Sequence, residues 1–488
     1  MKLLHAILLA SLLACAARGQ DFSALWSFGS TNAGGVPQLP LIPGPGGKLY
    51  GTTTDGSTNF NGTIFSVNLD GSGFTNIYAF SEGGLTADFE YTNSDGMNPY
   101  ALILSGNSLY GTCQNGGTNG NGTIFRVQTD GSDFTTLYTF SALGNNQFFA
   151  STNGDGVFPT GLVLSGDTLY GSAFNGGTNG NGTVYSLETN GDNFIVLHTF
   201  TGSDGWGPNA GLLLFGSILY GTAQNGGANG NGAIFSFDTI ANSFSNLYSF
   251  SASATNLNSQ FTNDDGASPI AGLVLGGQYL YGTAEGGGTN GNGTVYALNT
   301  KGNVLTTLYN FTNGTDGAYP QASLLLSGRD LFGTASGGGA NSNGTVFVVH
   351  IDGTGFSNLY TFSPKFSDAA DDFNSTNSDG SSPEGGLILS GDTIYGTAAN
   401  GGSFGYGTIF SLTVPPAYLT PAISIHISSG SLVISWPFGS GGTTLMSADS
   451  LSASAVWSPV TILPVLANGS YSITIPLTGK QAFFYLSP

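Results

Sequence analysis

One carboxylate recurs six times in this sequence with the same neighbours. Asp95, Asp155, Asp204, Asp265, Asp316 and Asp379 each open an Asp-Gly-x-x-Pro run that ends at Pro99, Pro159, Pro208, Pro269, Pro320 and Pro383. Six carboxylates gathered on one face could hold a cation or polarise a substrate. Four of the runs carry an asparagine two residues earlier, pairing Asn93 with Asp95, Asn153 with Asp155, Asn263 with Asp265 and Asn377 with Asp379. That spacing echoes the second half of a calcium loop. The first ligand position is wrong, however (Tyr91, Ser151, Phe261 and Ser375), and no bidentate glutamate follows. The competing account is structural: an aspartate before glycine accepts a hydrogen bond from its own turn, and the proline sets the start of the next strand. A residue that every repeat carries serves a need that every repeat has. The sequence therefore favours the turn, keeps calcium as the minority candidate, and points to no other cofactor.

The segments that lead to these aspartates differ in length. Residues 81–95, 141–155, 251–265 and 363–379 are long, whereas 201–204 and 312–316 are short. The long ones carry Phe89, Tyr91, Phe148, Phe149, Phe261, Phe366 and Phe373. Aromatics on polar loops suit stacking on sugar rings or a protein hot spot, and loop-length variation on one face marks a binding face. The alternative is that Phe89, Phe149 and Phe373 anchor their own loops. Hydrolysis would need a nucleophile with a base or a carboxylate pair. His198, His350 and His426 stand in no triad or metal spacing, and Asp88, Glu90, Asp371 and Asp372 read as solvated loop charge before they read as a pair.

These junctions join copies of a longer phrase. Leu-Tyr-Gly-Thr, a Gly/Asn-rich loop and Gly-Thr-Ile-Phe occur seven times at intervals of roughly 50–60 residues, a supersecondary repeat. Each full copy reads as four short strands. In the second, strand A holds Ala101–Leu104, strand B Leu109–Thr112, strand C Gly122–Val127 and strand D Phe134–Phe140. Asn-Gly and Asp-Gly turns and runs of Val, Ile, Phe and Tyr support the assignment. The glycine-rich B-to-C loops, such as 115–122, are tight turns; no lysine or helix follows to make a phosphate site. Tyr50, Tyr110, Tyr170, Tyr220, Tyr281, Phe332 and Tyr395 recur at one register and are expected between neighbouring repeats. The last copy lacks strand D, and residues 21–28 match that strand. An all-β, seven-bladed propeller closed by the N-terminal strand follows, with a linear solenoid as the alternative.

Stretches such as LYGTAQNGGANGNGAIFSF and DGASPIAGLVL resemble the GloVer tandem repeat of secreted bacterial proteins over about residues 22–412. That resemblance implies a repeat class and an exported compartment rather than a reaction. Lys2, the apolar stretch from Leu3 to Ala14 and the small residues at 17–19 fit an export signal over residues 1–19; lipidation at Cys15 is the rival outcome. Repeats then fill 20–414. A proline-rich break precedes 415–488, where alternating runs fit a small β-sandwich like modules of other secreted proteins.

The chain has 8 basic and 28 acidic residues and a formal net charge of −20. Nucleic acid and anionic membrane need basic patches and are disfavoured as partners, and no internal segment is apolar enough to span a bilayer. Cys113 is expected as a small buried side chain without a disulfide. Together these features point to a secreted, non-catalytic binding or cell-surface interaction protein whose ligand is a glycan or another surface protein. A polysaccharide hydrolase or lyase using loop carboxylates, and a structural spacer, are the alternatives.

Overall fold

A computed structural model describes residues 21–29, 34–56, 60–85, 91–145, 151–256, 260–302, 304–368, 371–415, 418, 424–428, 431–437, 444–448, 458–460, 465–467, 470–476 and 483–487. Seven four-stranded antiparallel sheets form the blades of a propeller. In the second blade, strand A is Met97–Ser105, strand B Ser108–Asn115, strand C Thr123–Gln128 and strand D Thr135–Thr139, hydrogen-bonded in that order. The repeated phrase is explained by one cross-strand pair. Phe125 of strand C faces Gly111 of strand B, and a Cβ on Gly111 would lie 2.3 Å from the Phe125 ring. Glycine is therefore required wherever the phrase places that aromatic opposite.

The ring closes as the missing strand implies. Phe22–Ser27 pairs antiparallel with Thr408–Thr413, with Phe22 opposite Leu412, and so becomes strand D of blade seven. This pairing covers an edge that a linear array would leave open.

The apolar core lies between blades rather than within them. Tyr50, Ile64 and Phe80 of blade one pack with Leu102, Leu109 and Phe125 of blade two. The seam between blades seven and one joins Tyr395, Ile409 and Phe28 to Leu41, Leu49 and Phe65. All seven strand-B aromatics occupy such seams, as their common register implied. A second aromatic layer runs outside them. Tyr78 stacks on Phe134 of the next blade at 4.0 Å between centroids, and the same stack joins Tyr138 to Phe194, His198 to Phe244, Tyr309 to Phe356, Tyr360 to Phe22 and Trp26 to Phe74. At the seam between blades four and five, Leu305 takes the place of the phenylalanine opposite Tyr248. Charge contributes little: the ion pairs among the described residues are His198–Asp204 and His350–Asp330.

The four long junctions carry small hairpins that the sequence reading did not assign, including Gly84–Leu85 with Tyr91–Thr92 and Ala254–Thr255 with Phe261–Thr262. The C-terminal region holds a four-stranded and a three-stranded sheet. Its strands Ser424–Ser428, Ser431–Pro437, Ser470–Pro476 and Phe483–Ser487 match the alternating runs, and Thr444–Ala448, Ser458–Pro459 and Val465–Ala467 are additional. Cys113 is buried and free. Among the described residues no helix is long and apolar enough to cross a membrane.

Candidate functional site

The repeated aspartates are tied into the blades. Asp95 is buried; its Oδ2 accepts from the Tyr78 hydroxyl at 2.8 Å and from the Ser81 amide at 2.9 Å, and its Oδ1 accepts from the Ser81 hydroxyl. The same set recurs at Asp155, Asp265, Asp316 and Asp379. Burial, reinforced by the adjacent carboxylate, holds the Tyr78 hydroxyl well above the ordinary tyrosine range. In blade three His198 replaces the tyrosine and meets Asp204 at 3.0 Å. The junction from blade seven to blade one has no aspartate. There the tyrosine place belongs to Trp26, whose buried indole N–H has no partner among the described residues. Tyrosine or histidine and aspartate thus come and go together, as members of one structural pair do.

The asparagines make the turn. Asn93 Oδ1 accepts from the amides of Gly96 at 2.9 Å and Gly117 at 3.0 Å, and its Nδ2 donates to the carbonyls of Ser81 and Gly96. Asn153, Asn263 and Asn377 repeat this geometry. The turn bond expected of the aspartate therefore belongs to the asparagine, and the aspartate anchors the end of strand D instead. Among the described residues no three His, Cys, Asp or Glu side chains converge as a metal site. Because Asn93 joins the D-to-A junction to the B-to-C loop, both connections lie on one face.

That face carries the loop aromatics singled out in the sequence. Tyr91 and Phe261 are 62% and 69% exposed, and Phe366 stands out from its hairpin in the same way. Phe373 lies on strand Asp371–Thr376. Phe89, Phe148 and Phe149 fall outside the described residues, as do Asp88 and Glu90. A groove of about 670 Å³ runs across blades one to three, lined by Phe60, Asn61, Tyr91, Asn98, Asn121 and Phe158 among others. Phe60 has a φ of 58°, in the left-handed region that Asn98 and Phe158 of the same groove also occupy, and it stands at the loop position held by Gly120, Gly180, Gly230, Gly291 and Gly405 in five other blades and by Ser342 in the remaining one. It is also 67% exposed, so no packing offsets the strain. Sequence reasoning passed over Phe60 because its loop reads as a turn; the signal was Asn-Phe-Asn where four other copies have Asn-Gly-Asn.

A second concavity lies on the propeller axis. A cavity of about 320 Å³ is lined by all seven innermost segments. Of the residues that follow the repeated prolines, Gln38, Tyr100, Asn209, Ile270, Gln321 and Glu384 line it, while Thr160 is buried against Ser172 and the Pro208 carbonyl. Only glutamine occurs twice. Tyr100 donates to Asn209 Oδ1 at 3.1 Å, and Gln321 Nε2 donates to Glu285 Oε1 at 2.7 Å. Burial pushes the Glu384 carboxyl up; a hydrogen bond from Gln38 opposes that shift and the Glu285 charge adds to it. Burial, aided by Glu384, pushes Tyr100 up to about 12. The sequence offered no unique constellation by motif, and the structure assembles one here. Its trace in the sequence is a variable column beside an unvarying proline.

The family model of the Gloeobacter/Verrucomicrobia repeat matches residues 18–158, 147–259 and 251–442. Among curated proteins none matches the sequence. Similar solved structures include an oligogalacturonate lyase in complex with manganese, 10% identical, covering 82% of this chain and 98% of that one with a TM-score of 0.47. They also include the computationally designed Ika8 protein, 14% identical, covering 78% and 99% with a TM-score of 0.41, and a chain of a nidogen/laminin complex, 16% identical, covering 54% and 75% with a TM-score of 0.33.

Proposed function

The chain belongs to the Gloeobacter/Verrucomicrobia repeat family, and we propose that it is an exported, non-catalytic binding protein that grips neutral glycan through the loop face of its propeller. The observation that carries this reading is the aromatic groove. Phe60, held exposed at an unfavourable φ, stands with Tyr91 and Phe158 among the amides of Asn61, Asn98, Asn115 and Asn121. Aromatic rings stack on the apolar faces of sugars, and amides match hydroxyls because both donate and accept. A net charge of −20 favours a neutral polymer over an anionic one. Both carboxylate oxygens of Asp95 and its counterparts are already engaged, which argues against a role for them in chemistry.

The test is affinity electrophoresis of the protein through gels holding different polysaccharides, with reducing ends assayed in the same lanes. Retardation by a neutral polymer without new ends is expected, and Phe60→Gly with Tyr91→Ala should abolish it. New reducing ends would replace this reading with that of a hydrolase or lyase. No retardation on any polymer would leave a protein partner or a spacer role.

A further inference from the structure

We propose that the mouth of the central channel is a second site, separate from the aromatic groove, that takes one neutral polyhydroxylated ligand: a free monosaccharide or the end of a sugar chain. Every blade contributes its innermost segment to the wall, yet the residue at the common register changes from blade to blade. The flanking proline and leucine are the same in each repeat, whereas the residue after the proline is Gln38, Tyr100, Asn209, Gln321 or Glu384 on the polar part of the wall.

Two of the wall's polar groups are fixed by hydrogen bonds: Tyr100 donates to Asn209, and Gln321 donates to Glu285, which stands behind the wall. Each pair fixes two side chains before a ligand arrives, which lowers the ordering cost of binding. The bonds also determine what remains free. With an amide hydrogen on Glu285, Gln321 offers its carbonyl oxygen; Glu384 adds carboxylate acceptors, Asn209 keeps its NH2, and the Gln38 amide can donate or accept. This is an acceptor-rich set with a few donors at fixed points, which suits the hydroxyl groups of a sugar. No Lys or Arg lines the cavity, so an anion has no counter-charge. A volume of about 320 Å³ stands near the lower end of the range for small-ligand pockets, about 300–1,000 Å³.

The experiment is saturation-transfer NMR on the full chain with glucose, galactose, mannose and their disaccharides. At least one sugar should show transfer, with binding weakened about tenfold or more by Tyr100→Phe, which removes the hydroxyl that fixes Asn209, and by Glu384→Gln, which puts a donor where the wall has a carboxylate acceptor. The spectra are recorded on Phe60→Gly with Tyr91→Ala, so that a sugar stacked in the groove contributes nothing to the signal read from the channel. Near-ultraviolet circular dichroism checks that each variant folds; if Glu384→Gln does not, Tyr100→Phe alone decides. Equal signals from a sugar and its disaccharide indicate a chain end, and loss of signal in the disaccharide indicates a free monosaccharide; both agree with the proposal. It is overturned if no saccharide shows transfer, or if the signal survives both channel variants. It is also overturned if calcium or methylammonium binds in a Glu384-dependent manner in place of sugars.

Discussion

Asp155 shows what a repeated carboxylate does when every blade needs it. It is buried, and it holds the Tyr138 hydroxyl and the Ser141 amide and hydroxyl at the end of strand D. Asp155→Ala would strand those donors, and hydrogen bonds to a charged group are worth about 1.5–3 kcal/mol each before relaxation. A loss of roughly 3 kcal/mol in urea unfolding is expected, with added calcium leaving the wild-type midpoint unchanged. Phe60 is the opposite case. Left-handed φ disfavours a side chain by about 1–2 kcal/mol, so Phe60→Gly should raise stability slightly while glycan retention falls. Glu384 behaves similarly. Its folded-state carboxyl is raised by burial, so the folded chain holds that proton more tightly than the unfolded one. Stability from this group is full below the ordinary carboxylate range and is lost as pH rises through the raised value. Glu384→Gln should remove that loss, which thermal unfolding of both proteins between pH 4 and pH 8 would read as a gap widening with pH.

At the scale of the element, each seam between blades repeats one aromatic stack, and one seam lacks it. Tyr248 faces Leu305 where Tyr78 faces Phe134. Leu305→Phe should restore the stack and add about 0.5–1.5 kcal/mol, measured by chemical denaturation. Much at this scale was legible in the sequence. The seven copies gave the blades, and residues 21–28 gave the closing strand, because period and turn chemistry act locally. The hairpins at Tyr91 and Phe261 were not legible, since strands of two residues carry no period. The division of labour between Asn93 and Asp95 was half legible. Asp95 read as the turn residue and Asn93 only as its companion in a calcium-like spacing, but the turn bonds belong to Asn93 and the partner of Asp95 is Tyr78; nothing local announces a contact across a junction. The channel wall was hidden for a related reason. Gln38, Tyr100 and Glu384 are neighbours only because the ring closes, and a search for what recurs passes over what differs.

For the whole molecule, closure puts the order of events at odds with the order of the chain. Phe22–Ser27 is made near the beginning and finds its partner, Thr408–Thr413, only when blade seven exists. Until then it is an unpaired apolar strand, and the first blade's seam with the last stays open. Pairing across such a separation is slow to form because the loop must close before any contact repays it. A permuted chain that begins at residue 34 and carries residues 21–29 after Thr413 would keep nearly every contact. It should refold faster than the natural chain in stopped-flow experiments while its unfolding rate changes little. The natural order makes the earliest segment the final one to be seated, so an incomplete copy of this protein can never shut its own ring.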